Sequence, residues 1–90
     1  MVAVDYERAE RAYLDAIASG ATSADLAAAA RQCSEIAHDW QSAAYAEFFS
    51  ERGIRGEADR TVIEKEIEAE KAELLSELWR DIASAHGTRS

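Results

Sequence analysis

Proline is absent from the chain, and its four glycines fall only at positions 20, 53, 56 and 87. That spacing constrains the fold more than any other feature. Between the glycines lie long stretches with no residue that breaks a helix, and none of them alternates apolar and polar residues as a half-buried strand does. The chain therefore predicts three helices and no strand. Glycine and the capping residues set their expected limits. Residues 5–19 form the first, with Asp5 as N-cap and Gly20 in a left-handed C-terminal position. Residues 23–52 form the second, opened by Thr22 and Asp25 at capping-box spacing and closed at Gly53. Residues 57–86 form the third, which starts either as early as Glu57 or at a capping box made by Thr61 and Glu64, and stops at Gly87.

Periodicity assigns the inner faces. Tyr6, Ala9, Tyr13 and Ile17 share one side of the first helix. Leu26, Ala30, Cys33, Ile36, Ala37, Trp40, Ala44 and Phe48 form the stripe of the second. Ile63, Ile67, Leu74, Leu78 and Ile82 form that of the third. The expected fold is an all-α, three-helix antiparallel bundle: one short N-terminal helix and two long helices in a hairpin, a single helical domain over residues 1–90 with a frayed tail at 87–90. The short helix covers one half of the hairpin, where Tyr6, Tyr13, Ile17, Leu26, Cys33, Leu78 and Ile82 close a core. The other half has two helices and carries Tyr45, Phe48, Phe49, Val62, Ile63 and Ile67.

A chain of 90 residues buries only about 60–65% of its unfolded surface. Cys33 is the single cysteine, so no internal disulfide supplements the core, and a reducing, cytoplasmic setting is expected. Extra stability is expected from a second copy or another partner. No run of 18 apolar residues exists to span a membrane, and the first ten residues carry acids where a secretory leader carries bases. A formal net charge of -8 argues against nucleic acid and anionic membranes as partners. Eight arginines, two lysines and abundant alanine point to a GC-rich genome.

Few residues carry the pattern of chemistry. In CSEIAHDW, residues 33–40, Glu35 and His38 have the Glu-x-x-His spacing that ferritin-like carboxylate metal proteins use, and Glu7 or Glu10 would supply a further ligand. Both Glu35 and His38 fall off the apolar stripe, however, and no second Glu-x-x-His exists. Cys33 and His38 stand about 140° apart around their helix, too far to form a nucleophile–base pair. The stretch DLAAAARQCSEIAHDW has a partial helix-turn-helix pattern, but Arg31 occupies the turn and Glu35 and Asp39 would face phosphates. No enzyme and no cofactor are expected.

The surface is more informative. Tyr45 and Phe49 lie away from the second helix's main stripe, where the chain has run out of cover, and such a patch marks a partner surface. Glu66, Glu70, Glu73 and Glu77 form a row with no lysine of its own. Trp79 widens the apolar arc of the third helix. The expected function is a small acidic protein–protein interaction module, homodimeric or bound to a different protein, with Tyr45, Phe48, Phe49, Ile63, Ile67 and Trp79 in contact. Its size, charge and helix content fit a regulator or inhibitor of a host protein carried by a phage or other mobile element. The alternatives are an acidic nucleic-acid mimic that blocks a basic partner, and a metal-binding half-bundle using Glu7, Glu35 and His38.

Overall fold

A computed structural model describes residues 2–87. Three helices account for nearly all of it, and no strand occurs among the described residues. They are α1 (Val2–Ala18), α2 (Ser23–Arg55) and α3 (Arg60–Gly87). The Cα radius of gyration is 15.5 Å, against about 12 Å for a compact chain of this length. The molecule is elongated and rather flat, 49 × 22 × 14 Å. Its long dimension equals the length of α2, about 50 Å at 1.5 Å per residue.

The helix ends follow side-chain chemistry, with three departures from the sequence expectation. Thr22 caps α2, its hydroxyl accepting from the Asp25 amide at 3.2 Å. Gly20, at φ +74, takes the left-handed conformation that closes α1. But α1 begins at Val2, so Asp5 lies within its first turn rather than at the cap. The second helix runs through Gly53 to Arg55, and the cap is Gly56, at φ 88 and ψ 163, whose amide donates to the Arg52 carbonyl. Gly53 keeps ordinary helical geometry, which any residue can adopt. The third helix starts at Arg60 because Asp59 accepts from the Thr61 amide at 2.9 Å. Aspartate is the stronger cap, so the Thr61–Glu64 box is not used.

The core is built differently from the expected one. On α2, Ala30, Cys33, Ala37, Trp40 and Ala44 are buried; on α3, Ala69, Ala72, Ser76, Trp79 and Ala83. Each set advances by alternating steps of three and four, the heptad spacing of a helix–helix seam. Small side chains dominate it, and small side chains let two helix backbones approach closely. Ser34 Oγ donates across it to the Ser76 carbonyl at 3.2 Å.

The expected inner stripe of α3 is therefore corrected. Ile63, Ile67, Leu74 and Leu78 are 46%, 60%, 66% and 52% exposed, and Ile17 of α1 is exposed as well. Of the large aliphatics placed in the core, Leu26 and Ile82 are half-buried. The cause is Trp79. Trp79 is about 100° around the helix from Leu78, so one face cannot bury both. The indole wins because it fills the space between α1 and the small-residue seam.

Candidate functional site

Aromatic side chains hold α1 in place. No Cα of α1 comes within 8 Å of one in α3, so long side chains span the gap. Trp79 Nε1 donates to Tyr6 Oη at 2.7 Å, and Tyr6 Oη donates to Glu10 Oε2 at 3.1 Å. Tyr6 packs tilted on Trp40, ring centroids 5.6 Å apart. Tyr13 meets Trp79 edge-on at 4.8 Å and shares a 2.7 Å hydrogen bond with His86 Nε2. Burial, with Glu10 contributing, pushes the Tyr6 hydroxyl up to about 12. Burial also raises the Cys33 thiol to about 11, with the charge of Glu10 adding to it. Cys33 is fully buried, so it is held as a neutral thiol and behaves as a small core residue.

The residues proposed for metal do not come together. Glu7, Glu35 and His38 are all exposed, and no group of three or more His, Cys, Asp and Glu side chains gathers among the described residues. Of the surface hollows, one between α2 and α3 is lined by Ala27, Arg31, Ser34, Glu35, Arg80, Ala83, Ser84 and Gly87, and its Ser34 hydroxyl donates to the Ser76 carbonyl.

The six residues assigned to partner contact separate into two kinds. Phe48 and Trp79 are buried in the protein's own fold. Tyr45 is half-buried, and Phe49, Ile63 and Ile67 are exposed. The exposed ones belong to two strips. On α2, Phe49 stacks on Tyr45 with centroids 6.1 Å apart and packs on Phe48 at 5.1 Å. Arg52 covers this cluster, its guanidinium 5.0 Å from the Phe49 centroid, a cation–π arrangement. On α3, Ile63 and Ile67 continue into Leu74 and Leu78. At 100° per residue the four fall within a 60° arc, on the side of the helix opposite Ala72 and Ser76.

Between the strips runs the acidic row. Tyr45 Oη donates to Glu73 Oε2 at 2.5 Å. That bond raises the tyrosine to about 12, with burial and then the charges of Glu73, Glu70 and Glu66 adding to the shift. Glu66, Glu70 and Glu77 form no ion pair among the described residues. Lys65 turns away from the row, to Glu47 of α2 at 3.1 Å. What sequence reasoning missed is the extension of the strip to Leu74 and Leu78. The heptad of small residues from Ala69 to Ala83 was the signal for it, since whatever faces away from that heptad faces solvent.

Comparison with protein-family models, with curated proteins and with solved structures finds no match to this chain. No helix among the described residues is long and apolar enough to cross a membrane.

Proposed function

We propose that this protein is a small, acidic, non-enzymatic protein–protein interaction module, acting in the cytoplasm as a regulator or inhibitor of another protein. In this reading residues 1–90 form one domain, an antiparallel three-helix bundle. The cross-helix pairs support that topology. Ser34 meets Ser76 while Glu47 meets Lys65, so α3 descends as α2 ascends. Tyr6–Trp79 and Tyr13–His86 keep the same separation of 73 residues, so α1 and α3 run the same way.

One observation carries the functional reading. Helix α3 is apolar on two opposite sides, and the fold uses one of them. Ile63, Ile67, Leu74 and Leu78 together leave about two whole aliphatic side chains' worth of surface in water, which full burial would make worth about 3–6 kcal/mol. Phe49 adds an exposed ring on α2. Apolar surface that the protein's own fold leaves uncovered and that charge rims is characteristic of a partner site.

The test is a tagged pull-down from lysate of the source cell with wild type, Phe49→Asp and Ile67→Asp. A protein enriched by wild type and lost in either variant supports the module. The reading fails if nothing enriches and the protein sediments as a monomer.

The unpaired Glu66, Glu70 and Glu77 favour a second reading, an acidic mimic of nucleic acid that blocks a basic partner. It requires binding that weakens steeply with salt and on charge reversal of the row, and that tolerates Ile67→Asp.

A further inference from the structure

We infer that the outer stripe of α3 seats an amphipathic helix of a partner protein, one whose own apolar stripe is bordered by lysine or arginine. This rests on the interaction-module reading above and names the chemistry of the partner.

The stripe has the dimensions of a helix seat. Ile63, Ile67, Leu74 and Leu78 cover about 22 Å of α3 at 1.5 Å per residue. Their 60° arc keeps them in a nearly straight line along the axis. A helix laid on such a line reads it through anchors one and two turns apart.

The borders decide the occupant. Glu66, Glu70 and Glu77 lie within about 20–60° of Ile63 on one side, and Glu73 just beyond. The other side carries Lys71 with Glu64 and Glu68. A second copy of this chain fits poorly. Paired antiparallel through the stripe, two α3 helices bring the glutamate border of one against the glutamate border of the other. Paired parallel, each border meets the partner's opposite side, with Lys71 as its main cation. Each copy also carries a net charge of -8. Like charges facing each other across a helix pair suppress that pairing, whereas a basic border is attracted and held in register. Glu66, Glu70 and Glu73 lie within about 60° of one another around α3, and all three act on Tyr45, so their charges gather on one border of the stripe. Nucleic acid is excluded as occupant by the same charge.

The experiment uses the whole protein and three synthetic peptides about 18 residues long, which match the stripe. The first places leucine at helical spacing among lysines. The second scrambles that composition so that no stripe forms. The third replaces lysine by glutamate. Binding is followed by fluorescence anisotropy across a salt series, and the oligomeric state by sedimentation. The expected result is that the striped Leu/Lys peptide binds at least about tenfold more tightly than the scrambled one. The Ile67→Ser/Leu74→Ser variant, with unchanged charge and unchanged helical circular dichroism, loses that margin. Glu66→Gln/Glu70→Gln/Glu77→Gln weakens binding and flattens its salt dependence.

Equal binding of the scrambled peptide, or of the striped Leu/Glu peptide, overturns the inference. So does a wild-type dimer that the Ile67→Ser/Leu74→Ser variant dissociates, since a second copy would then occupy the stripe. A cellular partner lost on Phe49→Asp but retained by Ile67→Ser/Leu74→Ser leaves the module reading standing and removes this seat.

Discussion

Leu74→Ala and Ala72→Leu together test which side of α3 faces the protein's interior. The two positions are about 200° apart around the helix, so they exchange roles if the helix is rotated. Leu74 is 66% exposed, so about one third of its side chain leaves water on folding. Full burial of a leucine is worth about 1.5–3 kcal/mol. Losing a third of that costs about 0.5–1 kcal/mol, and the higher helix propensity of alanine returns a few tenths. The expected net loss is below about 1 kcal/mol, or less than about 8 °C in Tm for a domain of this size. A leucine buried in the core would cost about 2–5 kcal/mol. Ala72 is fully buried in the small-residue seam, and a leucine there forces the helices apart at about 1–3 kcal/mol or more. Urea unfolding followed by circular dichroism measures both. Leu74→Ala above about 2 kcal/mol beside a neutral Ala72→Leu would refute the orientation of α3. A penalty for Leu74→Ala that grows with protein concentration would instead show a second copy on the stripe.

Two further predictions concern the backbone and ionisation. Gly53→Ala, inside α2 with open space around it, should stabilise by about 0.5–1 kcal/mol. Gly56→Ala, at φ +88, should destabilise by about 1–3 kcal/mol; the opposite order would put the end of α2 back at Gly53. Tyr6 has its hydroxyl raised from 10.0 to about 12, so the folded protein holds that proton more tightly than the unfolded chain. Its contribution is complete below about pH 10 and is lost as the pH rises toward about 12. Tyr6→Phe should therefore flatten the alkaline fall in stability, measured by urea unfolding at a series of pH values.

Much of the fold was legible because helices leave local signals. A chain without proline, punctuated by glycines and capped at Thr22, has three helices and no competing strand pattern, although the second helix passes Gly53 and ends at Gly56. The faces of α1 and α2 were readable too. On α1 the aromatic residues Tyr6 and Tyr13 lie on one side, and on α2 a single arc collects Cys33, Ala37 and Trp40. The third helix was not readable in the same way, because it is apolar on both sides. Ranking side chains by size selects Ile67 and Leu74; ranking them by heptad spacing selects Ala69, Ala72 and Ser76. The exposed apolar strip was half legible for the same reason. Phe49 and Ile67 stood out as apolar residues lacking cover, whereas Leu74 and Leu78 were assigned to a core that does not contain them.

The sequence by itself determined the number of helices, their approximate limits, the acidic surface and the placement of the aromatic residues on α1 and α2. These follow from backbone preferences and from the period of 3.6 residues, which act within a few residues of chain. Only the tertiary structure decided which face of α3 is inside. That choice depends on how closely two backbones can approach and on where the indole rings fit, and both are set by residues on different helices, far apart in the chain: Ser34 meets Ser76, and Trp79 meets Tyr6. Alanine and serine took the seam because they let α2 and α3 close together while Trp79 reaches the Tyr6 hydroxyl. The larger aliphatic side chains Ile63, Ile67, Leu74 and Leu78 were left on the outside, exposed on the opposite face of α3.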